Sequence, residues 1–222
     1  MVIVCPSTNP CPEDKLVEYA KKLQNLGVEF LHCDVMDGKF VDNTCLPANL
    51  IRQVSLNSLI NLDIHLMVEN PLEKLKEYID INANYITLHY EAFKNPTDIS
   101  RAIDMIHTRS ILAGISIKPN TPVEAIFKLL PLIDLVLIMS VEPGRSGQEF
   151  IPESLDKIRT LKEIAKKNKF NIKIEVDGGI NLNNMKSVID AGANMLVMGS
   201  AFYNAKDKKK MLKAINLIKG IN

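Results

Sequence analysis

Eight short runs rich in valine, isoleucine and leucine recur along the chain, and their spacing limits the fold more than any other feature. They read VIVCPS, EFLHCDVMD, NLDIHLMV, NYITLHYEA, LAGISIKP, LVLIMSVEP, IKIEVDGG and MLVMGSAF, and they begin near positions 2, 29, 61, 84, 112, 135, 172 and 195. Each step spans roughly 23 to 37 residues, the length of one strand plus one crossover helix. Amphipathic segments of helix length lie between the runs. Eight such units predict an α/β fold, a (β/α)8 barrel of the TIM type. An open doubly wound sheet is the alternative, and no G-x-G-x-x-G follows the first run to favour it.

Helix signals fill the gaps. Thr121, Pro122 and Glu124 supply an N-cap, a proline at the first helical position and a capping-box acid, and Asn70-Pro71 and Asn95-Pro96 repeat the cap-plus-proline pattern. Gly27 and Gly192 sit where helices should stop. With no linker, low-complexity tract or shift in composition, the 222 residues suit one domain, 1–222, able to bury a single core.

Charge narrows the partners. Lysine and arginine number 27 against 26 acids, so the net charge of +1 gives no reason to expect nucleic acid or an anionic membrane. A small anionic substrate needs only local positive groups. No stretch of about 18 uncharged apolar residues exists, and MVIVCPSTNP lacks the basic and long apolar regions of a signal peptide, so a soluble cytoplasmic protein is expected. Cys5, Cys11, Cys33 and Cys45 fit no common zinc spacing and read as free thiols. Lys206, Lys208, Lys209 and Lys210 read as the solvated face of a last helix ending near Lys219.

Four polar residues stand near the ends of three of the apolar runs: His32 and Asp34, His65, and Asp177. Strand side chains alternate faces, so His32 and Asp34 point one way and Cys33 the other. Two imidazoles and two carboxylates suit one divalent ion such as zinc, iron, manganese or cobalt, and the spare carboxylate oxygens can move protons. A buried histidine such as His65, taken alone, is more often a satisfied core residue. Three strands ending in metal-competent groups argue against that reading. In a barrel the site lies at the C-terminal ends of the strands, where these residues fall.

Neighbouring features fit the same place. Asp37 reads as a turn cap rather than a ligand. Met36, Met67 and Met139 are either core filler or an apolar ceiling that keeps water from a reactive anion. Two glycine turns, Gly178-Gly179 and Gly199-Ser200, follow the seventh and eighth runs, where barrels often hold a phosphate. The segment from Glu142 to Gln148, with Gly144, Arg145, Ser146 and Gly147, suits a mobile lid. Arg145 is expected at the substrate or the site rim, with a solvent-facing position as the alternative. His89 and His107 are assigned no role.

The combination HCDVMDGKFVDN, DIHLMVENP, MSVEPGRSGQ, VDGGIN and VMGSA resembles the ribulose-phosphate 3-epimerase family over nearly the whole chain. The resemblance implies an enzyme that interconverts D-ribulose 5-phosphate and D-xylulose 5-phosphate with one divalent metal and no organic cofactor. It implies His32, Asp34, His65 and Asp177 as ligands, and Asp34 and Asp177 also as the acid and base. Ser7 matches a substrate-contacting serine. Phosphate contacts map to Gly178, Gly179, Gly199 and Ser200 and to the lid around Gly144 and Gly147. The expected partner is a small sugar phosphate, and a homo-oligomer is expected.

Two segments depart from the family pattern: Thr8-Asn9-Pro10-Cys11 after Pro6-Ser7, and Arg145-Ser146 where an aromatic and a glycine are usual. Both lie where sugar length and hydroxyls would be sensed. The alternative substrate is therefore a six-carbon ketose phosphate, D-allulose 6-phosphate. A related decarboxylase would carry D-x-K-x-x-D, and no lysine follows Asp34 at that spacing. A non-catalytic sugar-phosphate-binding barrel would be expected to have lost a ligand or a carboxylate.

Overall fold

A computed structural model describes residues 2–220. The strands are β1 (Ile3–Pro6), β2 (Phe30–Asp37), β3 (Thr44–Cys45), β4 (Asn61–Met67), β5 (Tyr85–His89), β6 (Leu112–Ile117), β7 (Leu135–Met139), β8 (Lys173–Asp177) and β9 (Met195–Met198). All but β3 are the apolar runs, and each starts within one residue of the position read from the sequence. They pair in parallel in the order β1-β9-β8-β7-β6-β5-β4-β2.

The two ends of that order meet just beyond β1. Ser7 bridges His32 in parallel, Thr8 N–H donates to the His32 carbonyl at 2.9 Å, and Asp34 N–H donates to Thr8 Oγ1 at 3.1 Å. The eight strands thus curl into a barrel, as expected. β3 carries no apolar run and is not predicted by the pattern; it lies antiparallel to Met36 and Asp37.

Helices α1 (Leu16–Asn25), α2 (Ala48–Asn57), α3 (Pro71–Tyr78), α4 (Pro96–His107), α5 (Ser154–Asn168), α6 (Met185–Ala191), α7 (Ser200–Tyr203) and α8 (Lys208–Ile218) occupy the connections and the C-terminal end. Pro71 and Pro96 open α3 and α4 as expected, and the Asn95 side chain accepts from Thr97 N–H while Asn70 makes no such cap. Gly27 and Gly192 follow α1 and α6. One crossover differs: the Thr121-Pro122-Glu124 signal opens only a 3₁₀ turn, Val123–Ile126, followed by a second, Leu130–Leu132. The Thr121 hydroxyl is spent on Glu91 instead of a helix cap, and Pro131 would break an α-helix here. All four cysteines are free thiols. Among the described residues no helix is long and apolar enough to cross a membrane.

The period of two sorts every strand between two environments. In β7, Leu135, Leu137 and Met139 pack inside the barrel with Cys5, Met195 and Val197, while Val136 and Ile138 join the larger core beneath the helices. On β2, β4, β5 and β8 the same alternation sends Cys33, Ile64, Leu88 and Val176 outward. Their neighbours on the other face are polar: His32 and Asp34, Asp63 and His65, Thr87 and His89, and Glu175 and Asp177. The barrel interior is therefore apolar on one side and acidic and imidazole-lined on the other.

Space inside the barrel is tight. A Cβ added at Gly114 would collide with Thr87 Oγ1 and stand 3.0 Å from Leu135 Cδ2. Gly114→Ala should therefore cost about 1–3 kcal/mol by overpacking, measured as a lower midpoint in denaturant unfolding. An unchanged midpoint would mean that the interior yields there.

Candidate active site and metal centre

Four of the expected residues converge. His32, Asp34, His65 and Asp177 each offer one ligand atom, and those atoms all lie within 4.8 Å of one another. Strand register brings them there: Asp34 pairs with His65 across β2 and β4, while Asp177 ends β8 beside Met139. His32 Nε2 and His65 Nδ1 stand 3.4 and 3.6 Å from Asp34 Oδ1, and both nitrogens are buried without a hydrogen-bond partner. Two unpartnered imidazole nitrogens aimed at a carboxylate are costly unless a cation joins them. Two nitrogens and two carboxylate oxygens fit a transition ion such as zinc, iron, manganese or cobalt better than calcium or magnesium, which favour all-oxygen sites.

Further residues hold this cluster and were assigned no role from the sequence. Asp63 Oδ2 lies 2.6 Å from His32 Nδ1, so that ring presents Nε2 to the centre, and Glu175 Oε1 lies 3.7 Å from the same nitrogen. Both acids precede an assigned ligand by two residues, so the alternation that paired His32 with Asp34 would have found them. His89 also lies here: its Nε2 is 2.9 Å from His65 Nε2, and its Nδ1 is 3.2 Å from Glu91 Oε2. His89, assigned no role from the sequence, thus has Glu91 as its carboxylate partner, two residues on. His107 lies at the surface against Asp134 and takes no part.

The surroundings set the charges. Burial opposes the His32 imidazolium, but Asp63 and Asp34 outweigh it and hold its pKa well above the usual value. Burial also opposes ionisation of Asp34, yet the charge on His32 and the closeness of the His32 and His65 rings keep that carboxyl well below the usual range. Burial, and then the Asp34 charge, push Asp177 up to about 7. The two carboxyls sit in one cluster with opposite protonation preferences.

Above the cluster opens a cavity of about 440 Å³. Met36, Met67 and Met139 line it beside Asp34 and Asp177, as the apolar-ceiling reading requires. Gly178, Gly179, Gly199 and Ser200 form one wall and Gly144 to Gly147 another. His65 is fully buried behind this surface and does not line it. Gly178 and Gly179 have φ of +124° and +66°, and a Cβ on Gly179 would collide with Phe150 N and stand 2.8 Å from Phe150 Cα. Only glycine fits this turn. The Ser140 hydroxyl fastens it by donating to the carbonyls of Asp177 and Gly178 at 3.0 and 2.7 Å.

Ser7 lines the cavity, but its hydroxyl donates to Asp34 Oδ2 at 2.5 Å and so first orients that carboxylate. Asp37 caps its turn as expected, accepting from Lys39 and Phe40 N–H at 2.9 Å each. Arg145 stands on the cavity rim, 70% exposed and 3.3 Å from Asp42, which is 89% exposed. The lid is fastened at Gly144, whose carbonyl accepts from Asn43 Nδ2 at 2.7 Å.

The model of the Ribulose-phosphate 3 epimerase family matches residues 3–203. A chloroplastic ribulose-5-phosphate-3-epimerase of Arabidopsis thaliana is 37% identical over 98% of this chain and 77% of its own length. The ribulose-phosphate 3-epimerase of Bacillus subtilis (strain 168) is 37% identical over 97% of this chain and 98% of its own. Among solved structures, orotidine 5'-phosphate decarboxylase from Pyrococcus horikoshii OT3 superposes with a TM-score of 0.69 over 99% of this chain and 100% of its own. At 13% identity that likeness shows the barrel alone.

Metal binding should be pH-dependent in a defined direction. With the His32 pKa raised and that of Asp177 near 7, an ion must displace their protons as pH falls. Apparent affinity should then drop roughly tenfold per pH unit for each proton displaced between pH 8 and 6. Chelator competition across that range measures it, and a flat profile would contradict a site built on these two groups.

Proposed function

Because the chain belongs to the ribulose-phosphate 3-epimerase family, we propose that it interconverts D-ribulose 5-phosphate and D-xylulose 5-phosphate, with Asp34 and Asp177 exchanging the C3 proton. The observation that carries this reading is the pair itself: two carboxyls that share a cluster and line one cavity, one held ionised and the other raised to about 7. Environments that push two acids apart in this way suit one for taking a proton and the other for giving one.

Inverting a carbon beside a ketone requires a proton to leave one face and a proton to return to the other. One carboxylate takes the C3 proton, the opposite carboxylic acid returns its own, and the reverse reaction exchanges their roles. His32, Asp34, His65 and Asp177 would hold the divalent ion. Such an ion would supply Lewis-acid charge against the negative charge that builds on the C2 oxygen when the C3 proton leaves. Met36, Met67 and Met139 keep water from the carbanionic carbon. The backbone of Gly178, Gly179, Gly199 and Ser200 would receive the phosphate, with the lid residues Gly144, Ser146 and Gly147 closing over the sugar. Ser7 holds Asp34 toward C3. The proposal extends to a single catalytic domain over 1–222, a cytoplasmic location and a homo-oligomer, the last tested by light scattering on the eluted protein.

A second substrate is favoured by one observation: Arg145 stands on the rim where the family carries an aromatic residue. A cation there suits the additional hydroxyl of D-allulose 6-phosphate. Arg145→Phe should change the ratio of kcat/KM on the five- and six-carbon substrates. Equal changes on both would remove Arg145 from selection.

The two-carboxylate mechanism is tested by Asp34→Asn and Asp177→Asn. Each keeps an oxygen able to ligate but loses its proton carrier, so epimerisation should fall by about 10²–10⁴-fold or more. Exchange needs only one carboxyl. A variant that retains metal should still wash the C3 proton of one epimer into deuterated water without inversion, the preferred epimer differing between the variants. Either variant epimerising at the wild-type rate with metal bound would assign that proton to another residue.

A further inference from the structure

Beyond the four expected ligands, one chain of hydrogen bonds runs from the centre to the outer loops. His65 Nε2 lies 2.9 Å from His89 Nε2, and His89 Nδ1 lies 3.2 Å from Glu91 Oε2. The other oxygen of Glu91 accepts from Lys118 N–H at 2.7 Å and from the Thr121 hydroxyl. Lys157, on α5, holds the same loop by donating to the carbonyls of Lys118, Pro119 and Thr121 at 3.1, 2.5 and 2.6 Å. The Phe40 ring packs on His89 with centroids 4.8 Å apart, and Lys118 Nζ stands 4.1 Å above that ring.

Two histidine nitrogens at hydrogen-bond distance share one proton, so one ring donates and the other accepts. Both ends of this chain settle which. At the inner end, His65 Nδ1 is the buried, unpartnered atom facing Asp34, and a metal takes it only as a lone pair. The proton of neutral His65 is then on Nε2. At the outer end, the Glu91 carboxylate accepts, so His89 carries its proton on Nδ1 and offers Nε2 as a lone pair.

We propose that His89 and Glu91 are positioning residues that fix His65 as its Nε2–H tautomer and so turn its Nδ1 lone pair to the metal. The direction of every bond follows: Glu91 accepts from His89 Nδ1–H, and His89 Nε2 accepts from His65 Nε2–H. Asp63 does the equivalent for His32 with a single carboxylate. On the His65 side no carboxylate meets Nε2 directly: the His89 ring stands between it and Glu91. The relay also ties the metal ligand to the loop at Lys118–Thr121. This inference rests on the metal reading of the site.

Three proteins test it: the wild type, His89→Leu, which removes the acceptor, and His89→Gln, whose amide oxygen can accept the same N–H. Zinc dissociation constants are measured by competition with a chromophoric chelator, beside thermal unfolding of each protein. His89→Leu should bind zinc about 10–100-fold more weakly, and His89→Gln should recover most of that loss. Leu and Gln variants that match the wild type in zinc affinity, whatever their thermal stability, would overturn the relay and leave the metal centre standing. A wild type that takes up no zinc, cobalt or manganese would overturn the centre and the relay with it. Should the Leu variant not fold, long-range ¹H–¹⁵N spectra of the zinc-loaded wild type decide. Protons on His65 Nε2 and His89 Nδ1 support the assignment, and a proton on His65 Nδ1 or His89 Nε2 refutes it.

Discussion

A closed parallel barrel gives each inward side chain nowhere to go but the interior, and on one side of this barrel those side chains are acids and imidazoles. Asp34, Asp63, Glu175 and Asp177 share that space with His32 and His65. Four carboxyls so close cannot all be ionised without compensation, because burial and mutual repulsion both oppose it. The chain meets the problem in three ways. His32 sits between Asp63 and Asp34. Burial, reinforced by the Asp63 charge, raises Glu175 well above the usual carboxylate range, so it holds a proton. The remaining donors, with two imidazole lone pairs and two carboxyl groups, are disposed around a point that a divalent cation fits. Whatever binds there binds the folded chain alone and so stabilises it.

The alternation that creates this crowding also made much of the site legible. The eight strands follow from apolar runs at regular spacing, and the ligand set follows from polar residues near their C-terminal ends. Asp63 and Glu175 obey the same rule, being two residues from His65 and Asp177, but they lie one alternation deeper in the strand, away from the C-terminal ends where a site is expected. Other features obey no period. Glu91 lies in the 3₁₀ turn Tyr90–Ala92 after β5, where no strand pattern extends, so its bond to His89 could be seen only in three dimensions. The crossover from β6 to β7 carries a strong helix signal, but a tertiary contact from Thr121 to Glu91 and a proline in the following segment outweigh local propensity. The Ser7 hydroxyl likewise could be matched to a substrate contact by resemblance, whereas its bond to Asp34 depends on the closure of β1 against β2.

Strands and loops divide the work. The carboxyls and imidazoles stand on strands, whose ladders hold them with little freedom, as proton transfer at a single carbon demands. The glycine turn at Gly178-Gly179 is a loop, but Ser140 binds it to the end of β7 and the Phe150 backbone presses against it, so it behaves as part of the frame. The lid is held more lightly. Its link across to the opposite loop is one Asn43–Gly144 bond and an ion pair whose partners are both largely exposed, and such a pair contributes little in water.

The chain's two departures from its family fall on opposite sides of that division. Thr8 is buried, takes the Asp34 N–H on its hydroxyl and donates its own N–H to His32, so the segment after Ser7 is part of the closure that carries a carboxyl and a ligand. Change there is confined to side chains that preserve those bonds. Arg145 has no such duty: it lies in solvent on the rim, and its ion-pair partner is the exposed Asp42, not Asp34 or Asp177. A residue in that position can alter which sugar phosphate is admitted while Asp34, Asp177 and the strands that hold them keep their places. On the proposed roles, reaction type and substrate choice would rest on parts of the molecule that differ in how tightly they are packed, so that the second could drift without cost to the first.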